Sequence, residues 1–227
     1  YVKDLSRDRD GQRITAARTE RPFTTMTDFA RRTGLDDRRL RRLAEVGAFS
    51  AIQADRRSAV WQMQGVGTSR DMSLPMSAED GAPVFRSLSN FQTINWDYQF
   101  SGHSTHGHPL EPLREMLMAQ GLPNAERVLQ MRDGQRVKFA GIVICRQRPS
   151  TASGVTFMTL EDESGFLNVV IWKQVFEDHV VLVKTASFLG VSGKLQIESQ
   201  VAHLVAEQFW LPELTVHPES GGSRDFH

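Results

Sequence analysis

At Arg136 the hydrophobic pattern of this 227-residue chain switches from a helical spacing to a period of two, and holds there to Phe209 with one interruption. Arg136 to Arg146 reads as a first strand, with Gly141 placed for a bulge that bends it. A polar loop, 147–154, leads to a strand over Val155 to Asp162. Glu163-Ser164-Gly165 joins this to a third strand, Phe166 to Trp172. Lys173 to Leu182 is the helical interruption, and Ser187 to Glu198 and Val201 to Phe209 complete the set. Strand-strand-strand-helix-strand-strand is the order of a five-stranded OB-fold β-barrel, which the spacing predicts over 135–212.

Alternation also predicts which side chains face out. Met158, Leu160, Leu167, Val169 and Ile171 form one apolar set directed into the barrel. Val155, Phe157, Thr159, Phe166, Asn168, Val170 and Trp172 then point outward. OB-folds take single strands or oligosaccharides on this face, and exposed Phe157 and Trp172 would give bases a surface to stack on. Arg146 and Arg148 lie at the mouth of the first loop, where guanidiniums could track phosphates. Asn168 is either a local hydrogen bonder or a base reader, and Phe157 or Trp172 could instead pack beneath a neighbouring segment.

Residues 1–62 read as short helices with glycine-bearing turns. Thr27 is placed to cap a helix that stops at Gly34; Asp36 or Asp37 caps a second through Leu40, Leu43 and Ala44, ending at Gly47; Asp55 caps a third through Trp61. Such a unit suggests a helix-hairpin-helix, in which turn N–H groups meet phosphates without reading bases. Val46-Gly47-Ala48-Phe49 is the candidate hairpin, with Arg41, Arg42, Arg56 and Arg57 around it, although a glycine there also serves as an ordinary helix C-cap. The chain carries no formal net charge, yet residues 1–60 hold 14 Lys+Arg against 9 Asp+Glu. That excess points to an anionic partner, or to a solvated helix face.

The fold class expected is therefore α+β multidomain: helical unit 1–62, connector 63–134, barrel 135–212 and a flexible tail 213–227. In the connector, Gly65, Gly67, Pro75, Gly81, Pro83, Gly102, Gly107 and Pro109 are expected to break every element up to a short helix over Pro112 to Gln120. The longest apolar runs are far short of the roughly 20 residues of a membrane span. Cys145 is the only cysteine, which suits a reducing cytoplasm and reads as a packing residue. His103, His106 and His108 lack a thiolate or acidic partner for zinc. Asp8 and Asp10 read as surface carboxylates, and Glu161-Asp162-Glu163 as a solvated turn. No catalytic motif is present, and Tyr1 in first place suggests a piece of a longer protein.

Arg146-Gln147-Arg148-Pro149, Thr151-Ala152-Ser153-Gly154 and Phe157-Met158-Thr159-Leu160-Glu161-Asp162-Glu163 resemble the OB-fold of bacterial C-family DNA polymerase alpha subunits. The likeness is to the error-prone, damage-tolerant branch, whose chains also end much like Ser223-Arg224-Asp225-Phe226-His227. Arg13-Ile14, Pro22-Phe23, Gly47-Ala48-Phe49 and Arg56-Arg57 resemble that family's helix-hairpin-helix region, and His108-Pro109-Leu110 the segment linking it to the barrel. The segments 65–83 and 101–107 depart from the family pattern. The resemblance implies the C-terminal region of a DNA-directed DNA polymerase acting in translesion synthesis and damage-induced mutagenesis. It implies a helical unit that grips primer-template duplex and a barrel that handles single-stranded template. The Mg²⁺-holding aspartates of the polymerase palm have no counterpart here, so no cofactor is expected in this chain itself. An inactive polymerase-like accessory protein and a sliding clamp are implied as partners, in a bacterial cytoplasm and close to the nucleoid. No clamp-binding peptide is recognisable in the sequence. Two other readings stay open: an anticodon-type OB-fold binding RNA, and a protein-interaction domain anchored by Phe157 and Trp172.

Overall fold

A computed structural model describes residues 2, 4–68, 85–149, 154–198, 201–214, 216, 218 and 224–226. The expected connector residues 69–84, including Pro75, Gly81 and Pro83, lie outside these, as do 150–153 and most of the tail. The chain divides into two compact units, Tyr1–Ser101 and Gly102–His227.

The first unit is helical. A π-helical turn, Arg7–Gly11, runs into α1 (Gln12–Glu20), followed by α2 (Met26–Thr33), α3 (Asp37–Glu45), α4 (Arg56–Thr68) and α5 (Asn90–Ser101). Thr25, not Thr27, caps α2 by accepting the Asp28 N–H, and Gly34 closes it in the left-handed conformation. Asp36 caps α3 and Asp55 caps the start of α4 through the Ser58 N–H. Phe29, Leu40, Ala44, Phe49 and Met63 form the core, with Phe29 edge-on to Phe23 and Phe49.

The glycine and proline pattern concealed the full length of α4, expected only to Trp61, and the existence of α5. Helix α4 runs through Gly65 and Gly67 to Thr68, because a helical glycine costs about 1 kcal/mol and does not block a helix anchored upstream by buried Met63. Helix α5 begins with a reciprocal cap: the Gln92 N–H donates to the Ser89 hydroxyl, and the Ser89 N–H to the Gln92 side chain.

In the second unit a 3₁₀ turn (Glu111–Leu113), α6 (Arg114–Ala119) and α7 (Ala125–Leu129) precede the sheet. Its strands are β1 (Arg136–Gln147), β2 (Thr156–Asp162), β3 (Gly165–Ile171), β4 (Phe188–Glu198), β5 (Val201–Trp210) and β6 (Arg224–Phe226). Between β3 and β4 lie α8 (Lys173–Asp178) and α9 (Val180–Thr185), two short helices where the pattern suggested one. Strands β1-β2-β3-β5-β4 close on β1 as an OB-type barrel, with β3 and β5 parallel and the other pairs antiparallel.

The core is the predicted one: Met158, Leu160, Leu167, Val169 and Ile171 are all essentially inaccessible, packed with Phe139, Leu189 and Leu204. Gly193 permits the tightest point of closure, since a Cβ there would lie 2.0 Å from the Val205 carbonyl oxygen.

Three expectations are corrected. The bulge in β1 falls between Val143 and Cys145, not at Gly141, which instead admits Leu160 and Phe139 at close range. Val155 precedes β2 and is buried rather than outward. Part of the tail is not loose: Arg224–Phe226 pairs in parallel with Cys145–Gln147, on the edge of β1 beyond its ladder with β4.

Candidate nucleic-acid interface

On the β2–β3 hairpin, Phe157 sits opposite Val170, Thr159 opposite Asn168 and Glu161 opposite Phe166. Paired residues share a face, and this is the outer one. Phe157 is 40% exposed, Phe166 56% and Trp172 56%, values that only a surface position allows such large rings. Along β3 the series Phe166, Asn168, Val170, Trp172 advances by two residues at each step, so it forms one line of about 20 Å. Trp172 keeps extended backbone as the residue before α8, which holds its ring on this line. The Thr159 hydroxyl donates to Oδ1 of Asn168 at 3.0 Å. Asn168 thus is a local hydrogen bonder, with its amide nitrogen left for other work.

Charge is divided along the line. At the Trp172 end, the Arg148 guanidinium lies 4.5 Å over the ring of Phe176, and the Lys184 ammonium lies 5.9 Å from the same ring. Arg148 is exposed and makes no ion pair among the described residues. Stacked on a ring face, it keeps its in-plane N–H groups for a phosphate. Exposed Lys173 lies beside this rim, its ammonium 3.9 Å from the Glu177 carboxylate. At the other end Glu161 is half-buried; burial, reinforced by the charge of Asp162, pushes its carboxyl above the ordinary range.

Arg146 is placed differently. The bulge after Val143 shifts the alternation by one, so Arg146 pairs with core-facing Met158 and turns inward. Its Nε donates to the Val183 carbonyl at 2.6 Å and its Nη2 to the Ala186 carbonyl, closing the end of α9.

In the helical unit, the backbone of the candidate hairpin is already engaged. The Gly47 N–H donates to the Ala44 carbonyl and the Ala48 N–H to the Leu43 carbonyl, the two bonds of a Schellman cap. Gly47 has φ +76°, and a Cβ on it would lie 2.7 Å from the Arg56 guanidinium. Arg56 pairs with Asp97 at 2.8 Å, Arg42 with Glu45 and Asp4, Arg41 with Glu45 at 3.7 Å, and Arg57 donates to the Arg86 carbonyl. Of these four, Arg41 is the most exposed, at 52%. The helix N-termini nearby carry Asp36 and Asp55 as caps, and these carboxylates already occupy the positive ends of the dipoles.

Two acidic groups read as surface are interior. Asp10 accepts from the Ser6 N–H at 2.9 Å and from Arg39 at 3.0 Å, and these partners hold its carboxyl below the usual range despite burial. Asp162 is inaccessible. Its oxygens accept from Ala125, Ser164 and Gly165 N–H groups and from Arg114, which also forks onto Glu163. The turn of the hairpin is thereby tied to α7 rather than solvated. No group of His, Cys, Asp or Glu among the described residues could hold a metal ion, and none of their helices is long and apolar enough to cross a membrane.

The sequence reading placed Phe166 outward without counting it in the site, and missed Phe176, Lys184 and His203. Alternation about Leu204 would have put His203 on the outer face, whereas the Phe176–Lys184 pairing with Arg148 depends on how α8 and α9 fold back.

Comparison with known proteins matches residues 1–59 to the helix-hairpin-helix motif family and residues 137–212 to the OB-fold nucleic acid binding domain family. An error-prone DNA polymerase of Bradyrhizobium diazoefficiens is 40% identical over 205 residues, covering 86% of this chain and 18% of the relative. The enzyme of the same name from Methylococcus capsulatus is 36% identical over 95% of this chain and 20% of its own length. That of Alkalilimnicola ehrlichii is 37% identical over 100% of this chain and 22% of its own length. Among solved structures, asparaginyl-tRNA synthetase from Pyrococcus horikoshii aligns over 39% of this chain and 22% of that one, with 22% identity and a TM-score of 0.35. The chain spans about one fifth of the length of the curated relatives it matches. A helical segment of the helix-hairpin-helix type followed by an OB-fold barrel, with 36–40% identity across most of its length, makes this chain a homologue of that fifth of the error-prone DNA polymerases.

Proposed function

We propose that the chain is the template-holding portion of an error-prone DNA polymerase, taking single-stranded DNA along the outer face of β2 and β3. The observation that carries this is the line of exposed Phe157, Phe166 and Trp172 with Arg148 poised on Phe176 at one end. Each ring offers a base a stacking surface, and the guanidinium offers a phosphate a planar pair of donors. In this reading Arg146 acts indirectly, by fixing the helix that carries Lys184. The helical unit meets duplex through exposed side-chain charge, notably Arg38 and Arg41, rather than through the N–H of Gly47. Nucleotidyl transfer and its Mg²⁺ belong to catalytic residues outside this chain. Translesion synthesis in the bacterial cytoplasm, at the nucleoid, with an accessory polymerase-like protein and a sliding clamp, belongs to the same proposal and rests on the relatives' name and the family resemblance.

Fluorescence anisotropy with labelled single-stranded DNA, primer-template and matching RNA, over a salt series, tests the proposal. The expected result is salt-dependent binding that prefers DNA. Trp172→Ala is expected to weaken it by about 1–3 kcal/mol. Arg148→Ala is expected to flatten the logarithmic salt slope by about 0.7, one phosphate contact on a single strand. Preference for RNA would favour the anticodon-type reading, and a folded chain that binds neither would point to a protein partner for the aromatic face.

A further inference from the structure

The barrel's register assembles a polar row that neither the aromatic line nor the family matches account for. Thr159 on β2 faces Asn168 on β3, Asn168 faces His203 on β5, and His203 faces Gln196 on β4. His203 alternates with the fully buried Leu204 and so lies on the outer face. Because the Thr159 hydroxyl holds Oδ1 of Asn168 toward β2, the amide nitrogen and its two donors lie on the β5 side, next to His203. The Nδ1 atom of His203 is buried and has no hydrogen-bond partner. An unmet lone pair is tolerated inside a protein better than an unmet N–H, so the tautomer that fits puts the proton on Nε2, facing out. Asn168 and His203 then present neighbouring donors.

This pair sits between two stacking positions. Phe166 is two residues from Asn168 in one direction, and Val170, which faces Phe157, two residues in the other. The rings of Phe157 and Phe166 are therefore about 13 Å apart along the strand direction. A stacked step is about 3.4 Å, so the two rings cannot hold one base between them. A strand engaging both runs extended, which leaves room for an intervening base over Asn168, next to His203.

We propose that Asn168 and His203 form a base-reading subsite that selects cytosine over thymine and adenine at this intervening position, by donating to two neighbouring acceptors on its edge. Cytosine offers neighbouring acceptors at O2 and N3, as guanine does at O6 and N7, whereas thymine sets its N3–H between its carbonyl oxygens and adenine sets a donating amine beside its acceptor. The inference rests on the reading of the barrel as a single-strand binder, and the experiment separates the two. Affinities of the chain for (dT)12, (dC)12 and (dA)12 are measured by anisotropy over a salt series, for the wild type and for Asn168→Ala, His203→Ala and His203→Gln. The expected result is that (dC)12 binds about tenfold more tightly than (dT)12 and (dA)12. Asn168→Ala and at least one His203 variant that melts like the wild type should remove that preference and leave the salt slope unchanged. Equal affinity of the wild type for all three strands overturns the subsite and leaves the single-strand reading standing. A preference that survives in Asn168→Ala also overturns it, since stacking strength and backbone flexibility would then explain the difference. No salt-dependent binding to any strand overturns the single-strand reading itself.

Discussion

Asp162 shows how a residue in a turn can hold a barrel together. Its two oxygens serve Ala125, Ser164, Gly165 and Arg114 from a position with no solvent access. Asp162→Asn removes the charge that Arg114 faces and replaces one acceptor by a donor. We predict a loss of about 3–5 kcal/mol, the range for breaking a buried pair, read as a lower denaturant midpoint by circular dichroism. A midpoint within experimental error of the wild type would show that Glu163 alone suffices for Arg114. Glu161, one residue away, is half-buried, and burial together with the charge of Asp162 pushes its carboxyl above the ordinary range. It flanks Phe166 across the hairpin, where a phosphate would pass. Glu161→Gln is expected to tighten single-strand binding severalfold at neutral pH, and wild-type affinity should rise toward that of the variant as pH falls through the Glu161 range.

At the level of elements, the turn after α3 is defined by its hydrogen bonds more than by its arginines. Both amides of Gly47 and Ala48 close the helix, and the Arg56 side chain fills the space where a Cβ would go. Gly47→Ala must adopt the left-handed conformation at about 1–2 kcal/mol and displace a guanidinium held by Asp97. Lower thermal stability of the helical unit, with the proposed salt-dependent DNA binding of the barrel unaffected, is the expected outcome. An unchanged melting curve would mean that the turn has a second conformation of similar energy. The strands tell a related story. One inserted residue in β1 decides that Arg146 turns to α9 while Gln147 pairs with outward Phe157.

Across the whole molecule, the arginine excess of the first sixty residues resolves largely into internal ion pairs. Arg32 and Arg21 meet Asp28, Arg39 meets Asp10, Arg42 meets Asp4 and Glu45, and Arg56 meets Asp97. Burial pushes the Asp28 carboxyl up, but the hydrogen bond of Arg32 and the charges of Arg21 and Arg32 outweigh it, leaving it below its ordinary value. Asp10 is lowered in the same unit. In the barrel unit burial raises Glu163, and the Arg114 hydrogen bond more than reverses this. A carboxylate whose folded pKa is depressed stabilises the fold above its unfolded pKa, and that stability is lost as pH falls through the folded value. Both units should therefore lose stability below about pH 4. Unfolding titrations of Asp10→Asn and Asp28→Asn should show lower stability at pH 7 with a flatter acid limb, and a limb as steep as the wild type's would assign acid sensitivity to other groups.

What the amino-acid order fixed by itself was the part governed by period and by local caps. The strand sequence of the barrel, its inward set Met158, Leu160, Leu167, Val169 and Ile171, and the caps at Asp36, Asp55 and Gly34 follow from spacing alone, because each depends on neighbours within a few residues. The Ser89–Gln92 capping box is just as local, but the surrounding glycines and prolines mask it. Only the folded chain decided which arginines are spent. A bulge of one residue, a carboxylate arriving at Arg56 from Asp97, 41 positions away, and a helix folding Phe176 under Arg148 are contacts between distant segments. The alignment of Asn168 with His203 belongs with them, since the parallel pairing of β3 and β5 arises only when the barrel closes.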